Sequence, residues 1–396
     1  MRLVLYTGKG GVGKTTTACA TALCAAARGR RTLLASADAA HSLGDVLERH
    51  LGPRPTPVAA CLDALELDAR AEMAEHWGRI RDYLVSVLRY QGLEEVVAEE
   101  LALLPGAEEL STLLGVEEHC RSGRYDLIVL DCAPTDSTLR LLTLPEVVRG
   151  ALRVLLHVQQ ALSAVVTPLA RSIVPIPLPD AAVFRDIDRL LFRKLLALRK
   201  RVIADSSSVR LVVTPERMVI DEARRAFTDL ALFEIPCDAV IMNRLLPPVA
   251  AREAFFHDWG RLQEERRREV EALFAPLPVL PAPLRNDELM GIEALRAHGE
   301  ELFGEHAPDA RLGVAGRVRF ARDATGYRVD LPLPHAERAA LDVAKLDDEL
   351  VVCSAGRRRA LKLPRRLAAL SLASARFERD ILVVRFAAEP ADEARP

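Results

Sequence analysis

The stretch Gly8-Lys9-Gly10-Gly11-Val12-Gly13-Lys14-Thr15-Thr16 constrains this chain more than any other. It follows the short apolar run Leu3-Val4-Leu5-Tyr6 and precedes an alanine-rich stretch reaching about Ala27. Apolar run, glycine-rich loop and small-residue helix read as strand, loop, helix, the context a phosphate loop requires. Glycines let successive backbone N–H groups turn toward phosphate oxygens, and the partial positive charge of the following helix N-terminus adds to the attraction. On this pattern Gly8, Gly10, Gly11, Val12, Gly13, Lys14, Thr15 and Thr16 form a cradle. Lys14 reaches the β- and γ-phosphates, and the Thr15 hydroxyl is the candidate Mg2+ ligand.

With half of its 396 residues hydrophobic, the chain can bury a sizeable core and build more than one domain. A formal charge of −2 gives no global reason to expect a nucleic acid or an anionic membrane as partner. Lysine occurs only at 9, 14, 194, 200, 345 and 362, so the pair Lys9 and Lys14 stands out in an arginine-rich sequence. Cys19, Cys24, Cys61, Cys120, Cys132, Cys237 and Cys353 are scattered, with no two-residue-gapped pair of the zinc or redox kind. Each reads as a small buried apolar residue in a reducing compartment. The phosphate pattern already starts at Gly8, which leaves no room for a signal peptide, and no uncharged apolar run is long enough for a membrane span. A cytoplasmic location is therefore expected.

Two further strand ends carry acids. Thr32-Leu33-Leu34-Ala35-Ser36 reads as a buried strand, followed by Ala37-Asp38-Ala39-Ala40-His41-Ser42-Leu43-Gly44-Asp45. A carboxylate just past such a strand can orient an attacking water at the carboxyl edge of a parallel sheet, so Asp38 is the candidate for that role. His41 is either a hydrogen-bonding loop residue or a catalytic one. Leu127-Ile128-Val129-Leu130-Asp131 is a continuous apolar strand ending in an acid, the way a carboxylate is carried to the Mg2+ shell.

These motifs together resemble one family. Lys9 resembles the signature lysine of the deviant Walker A group, which includes arsenite-pump ATPases, the eukaryotic tail-anchored-protein targeting ATPase, Min and Par positioning ATPases and the nitrogenase iron protein. Asp38-Ala39-Ala40-His41-Ser42-Leu43 is similar to the switch I segment of the arsenite and tail-anchored members, with alanine at 39 in place of their proline. Asp131-Cys132-Ala133-Pro134-Thr135, with Thr138-Leu139-Arg140-Leu141-Leu142 after it, resembles their switch II; Asp136-Ser137 replaces the common Gly-His. The resemblance implies ATP and Mg2+ as ligands and a P-loop NTPase α/β fold with a mostly parallel sheet. It also implies a homodimer in which Lys9 contacts the partner's nucleotide, with Lys9, Lys14, Asp38 and Asp131 catalytic; attraction of phosphate within one subunit is the alternative for Lys9. Asn243, ending the run from Asp238, matches the asparagine that reads the adenine edge. Pro278-Val279-Leu280-Pro281, with Pro281 as a wall, resembles the loop covering the base; a proline-bounded strand is the plain alternative.

The likeness spans residues 1–304 and holds one nucleotide site. Helical inserts are expected over about 60–120 and 150–205. Met73, Trp77, Ile80, Leu84, Val87 and Leu88 share one helical face, as do Val183, Ile187, Leu190, Leu191, Leu195 and Leu198. Domain core is the ordinary reading; the family resemblance implies a composite groove for a client's hydrophobic helix. The arginines and lysines between Arg185 and Arg201 read as a solvated face or a contact for an acidic partner. From 312 to 387 short alternating runs between charged turns predict a small all-β sandwich, resembling the small-heat-shock-like domain appended to some bacterial arsenite-type ATPases. Residues 388–396 read as a flexible tail. Three functions compete. ATP hydrolysis opening and closing a dimer around a hydrophobic client ranks first, the soluble ATPase of an arsenite or antimonite efflux system second, and a Par- or Min-like positioning ATPase third.

Overall fold

The computed structural model describes residues 1–37, 42–67, 82, 85, 89, 115–132, 195–323 and 326–387. Its elements are β1 (Arg2–Thr7), α1 (Lys14–Ala27), β2 (Thr32–Ser36), α2 (Ser42–Leu47), β3 (Thr56–Ala59), β4 (Leu62–Glu66), β5 (Leu127–Asp131), α3 (Leu195–Val202), β6 (Ser207–Val213), α4 (Arg217–Leu232), β7 (Cys237–Leu245), α5 (Pro248–Ala251), α6 (His257–Phe274), β8 (Val279–Pro283) and α7 (Ile292–Phe303). There follow β9 (Arg319–Asp323), β10 (Gly326–Pro332), β11 (Leu341–Leu346), β12 (Glu349–Ser354), β13 (Arg357–Lys362), α8 (Arg365–Ala368), β14 (Ser371–Glu378) and β15 (Ile381–Ala387). They divide into two compact units. The first is Met1–Thr7, Gly13–Ser207 and Asn286–Ala310; the second is Gly8–Val12, Ser208–Arg285 and Arg311–Pro396.

In the first unit the strands run in the order β3-β4-β2-β5-β1, parallel except for the outer β3. β1, β2 and β5 are apolar along nearly their whole length and buried on both faces, as parallel strands covered by helices must be. Apart from Lys14 and Leu23, α1 is built from alanine, threonine and cysteine, and small side chains let it lie close against the sheet. Its buried hydroxyls are satisfied locally. Thr17 Oγ1 donates to Gly13 O at 2.8 Å, Thr21 Oγ1 to Thr17 O at 2.8 Å, and Tyr6 OH of β1 meets Thr21 Oγ1 at 2.6 Å. The stretch from about residue 60, expected to begin a helical insert, instead completes a β3–β4 hairpin. Leu62-Asp63-Ala64-Leu65-Glu66 is too short for periodicity to tell strand from helix. The apolar faces over 73–88 and 183–194 lie outside the described residues, apart from Asp82 and Val85, which are helical. Leu198 of α3 is buried, in line with the core reading at that end.

In the second unit β6, β7 and β8 are parallel neighbours, with α4 and α6 between them in sequence. Arg210 of β6 and Asp238 of β7 form a completely buried ion pair, Nε to Oδ1 3.2 Å. The Leu312 N–H adds a hydrogen bond to Asp238 Oδ2 at 3.2 Å. Beyond it lie two antiparallel sheets, β14-β15-β10-β9 and β11-β12-β13, as the alternating runs predict. Along β15 every second residue, Leu382, Val384 and Phe386, is buried. The first strand starts at Arg319 rather than Val314, since Gly313 and Gly316 interrupt the run before it. This β region is fastened to α4 and α6: Thr228 Oγ1 donates to Pro334 O at 2.6 Å, His335 Nε2 meets Leu273 O at 2.7 Å, and the buried Arg359 bonds Leu232 O and the Glu234 carboxylate.

Candidate active site

Strand register assembles the first half of the site. Tyr6 of β1 and Ser36 of β2 both stand opposite Asp131, the last residue of β5 between them. The glycine-rich loop leaves β1 two residues after Tyr6, and Asp38 comes two residues after Ser36. Three parallel strands thus deliver their carboxyl ends to one edge, where open α/β sheets bind ligands. Asp38 and His41 lie outside the described residues. Asp131 is completely buried, and its Oδ2 accepts a hydrogen bond from Thr15 Oγ1 at 2.7 Å. Ser42 Oγ, which the sequence reading left without a role, lies 3.5 Å from Thr15 Oγ1. A hydroxyl and a carboxylate within hydrogen-bond distance are hard oxygen donors, and that set fits Mg2+.

Gly13 caps α1 in the left-handed region, φ 95 and ψ 32, where a residue with a Cβ is strained. A glycine cap also brings no side-chain acceptor of its own to the first-turn N–H groups, and no acidic residue sits in that turn to offset its positive field. Lys14, the first residue of the helix, is buried. Thr15 and Thr16 follow it half-buried, Lys9 is half-buried, and Gly10 and Gly11 are exposed.

In the second unit the segment Gly8–Val12 is gripped by β6 and β7. A Cβ at Gly8 would lie 2.3 Å from Val212 O, so only glycine fits there. At the other end Asn243 Nδ2 of β7 donates to Val12 O at 2.9 Å, and Asn243 Oδ1 accepts from Arg244 N at 2.9 Å. Pro281 stands in β8, paired in register with Met242, its side chain exposed. The segment expected as a covering loop is therefore a strand, and proline suits it because an outer strand can leave an N–H out of the ladder.

The family model for anion-transporting ATPases matches residues 1–304, and the model for the HSP20-like domain found in ArsA matches residues 324–386. The chain belongs to the anion-transporting ATPase family. It is an ATPase, with an α/β nucleotide-binding architecture and C-terminal antiparallel β sheets. Its relatives include the "putative arsenical pump-driving ATPase 1" of Aquifex aeolicus, 30% identical over 97% of this chain and 99% of the relative. Another, from Chlorobaculum tepidum, is named "putative arsenical pump-driving ATPase" and is 33% identical over 96% of this chain and 94% of the relative. The "ATPase get3" of Aspergillus niger is 30% identical over 78% of this chain and 92% of the relative.

The thiols of this ATPase are mostly held in their protonated form. Burial pushes Cys24 up to about 11 and Cys120 up to about 12; Cys19 and Cys237 are raised by burial first, with Asp131 and Asp238 respectively adding to it. Cys61 and Cys353 depart from the expectation that every cysteine is buried, one exposed and one half-buried. Arg201, read as part of a solvated or partner-facing basic run, pairs internally with the buried Glu117, Nε to Oε2 2.7 Å. Among the described residues no helix is long and apolar enough to cross a membrane.

Proposed function

We propose that this family member binds ATP with Mg2+ in the Gly8–Thr16 cradle and hydrolyses it as a homodimer whose opening and closing bind and release a hydrophobic client. The observation that carries the hydrolytic part is the Thr15–Asp131 contact of 2.7 Å directly behind Lys14 and the glycine-capped helix. A hydroxyl and a carboxylate so close together, the hydroxyl next in sequence to Lys14, support a role in balancing phosphate charge. Thr15 and Asp131 would hold Mg2+ there, which would supply positive charge to offset that of the phosphates. Lys14 contributes the second positive charge, Gly8, Gly10, Gly11, Val12 and Gly13 the backbone cradle, and Asp38 the base that orients water. Lys9 acts from the partner copy, so turnover waits on dimer closure. The resemblance to tail-anchored-protein targeting ATPases and the apolar helical faces in the sequence support the client reading.

A second reading is favoured by the names of the Aquifex and Chlorobaculum relatives: the soluble ATPase of an arsenical pump. Soft metalloid ions need converging thiolates, and the raised Cys19, Cys24, Cys120 and Cys237 count against it.

Mixing two inactive variants tests the dimer. Lys9→Ala and Asp38→Asn are each expected to bind ATP and to lose most hydrolysis. In a mixed dimer one site regains both residues and the other lacks both, so phosphate release should return, up to about half of wild type if the sites fire independently. No rescue in demonstrably mixed dimers would mean that Lys9 works in cis or that the two sites are strictly coupled, and would defeat a trans-acting Lys9 with independent sites. Arsenite stimulation that disappears with particular cysteines would favour the pump.

A further inference from the structure

We infer that Asn243 is a positioning residue for the phosphate loop: its side-chain amide holds the Val12 carbonyl so that the next N–H, that of Gly13, is turned into the phosphate cradle. This rests on the ATP-binding reading above and assigns Asn243 a role different from reading the base.

Asn243 is buried, and its Nδ2 lies 2.9 Å from Val12 O. In a planar trans peptide the C=O and the following N–H point in opposite directions. Fixing the Val12 oxygen on the β7 side therefore fixes the Gly13 N–H on the other side, which in a phosphate loop is the anion side. A freely rotating Val12–Gly13 peptide could present its carbonyl to the phosphates instead, and repulsion would replace a hydrogen bond. The Asn243 amide cannot easily swing away, because its Oδ1 is occupied by Arg244 N at 2.9 Å. Arg244 has φ 57, a left-handed conformation unfavourable for a long side chain, and an acceptor on the preceding residue helps to hold it. An asparagine amide has two donors and two lone pairs, of which one of each is committed within the protein. At the other end of the same segment Gly8 is pressed against Val212 O. β6 and β7 thus hold Gly8–Val12 at both ends, and the loop is shaped before an anion arrives.

Calorimetric titration of the full chain with ATP, GTP and inorganic tripolyphosphate separates positioning from base reading. For Asn243→Ala and for Asn243→Asp, which keeps the acceptor for Arg244 N, affinity for all three should fall by a common factor on the order of tenfold. The neutral variant shows that added charge is not the cause. Loss of ATP affinity alone, with tripolyphosphate and GTP unchanged, would overturn the assignment in favour of adenine reading. Wild-type protein provides a measurement that needs no variant to fold. The Asn243 side-chain amide protons, followed by NMR, should be protected from exchange without nucleotide, and their shifts should respond alike to ATP and tripolyphosphate. Free exchange that becomes protected only on adding an adenine nucleotide would likewise refute it. If wild type binds none of the three ligands, the ATP reading fails, while amide protection still decides whether Asn243 holds Val12.

Discussion

Replacing Gly8 by alanine separates what the loop needs sterically from what glycine-rich composition merely suggests. The added Cβ would sit 2.3 Å from Val212 O, a backbone atom with no rotamer to change, and to reach ordinary contact beyond 3.4 Å the loop or β6 must yield by about 1 Å. If the structure resists, the overlap costs about 1–3 kcal/mol, with unfavourable φ at 157 adding to it. If the loop moves instead, a misplacement of that size lowers turnover about 100-fold. Gly10 is the internal control, because a Cβ there meets nothing within 4 Å. Gly10→Ala should leave the stability of nucleotide-free protein within about 0.5 kcal/mol of wild type. Thermal melts without nucleotide and steady-state phosphate release would be measured for both variants. A Gly8→Ala protein that melts and turns over like wild type would refute the claim that backbone contact with β6 sets the loop.

Arg210→Met strips the guanidinium from a buried carboxylate and should cost about 3–5 kcal/mol in urea unfolding, while adding Asp238→Leu should recover most of it; a double variant no better than the single one would contradict the pairing. Arg359→Ala removes charge-assisted bonds to Leu232 O and Glu234 and should speed tryptic cleavage within residues 311–318, with ATP affinity unchanged. Tyr125 is raised to about 12, first by burial and then by its hydrogen bond to Asp63, OH to Oδ2 2.7 Å. A raised tyrosine pKa contributes stability that is complete below the unfolded value near 10 and is lost as pH climbs from about 10 to about 12. Denaturation midpoints of wild type should fall more steeply than those of Tyr125→Phe across that window.

The nucleotide-binding architecture was legible because its signals are local. Gly8–Thr16 joins a strand to a helix within a few residues, and Asp131 closes an apolar run, so chain order alone announces both. The antiparallel runs after Arg319 were legible for the same reason, since each strand shows its own alternation. The β3–β4 hairpin was missed because five residues are too few to display a period, and the apolar faces of the inserts fall largely outside the described residues.

What the sequence determined by itself was therefore the list of chemical groups: the amides of a glycine-rich loop, Lys14, the Thr15 hydroxyl, the Asp131 carboxylate and a β region after them. Their partners were decided by tertiary structure. Nothing near Arg210 in sequence announces Asp238, 28 positions away. Asn243 lies 231 positions from Val12, whose carbonyl it holds. A side chain has several hydrogen-bonding options in an unfolded chain, and only the register of parallel strands, set by long-range burial, selects one of them.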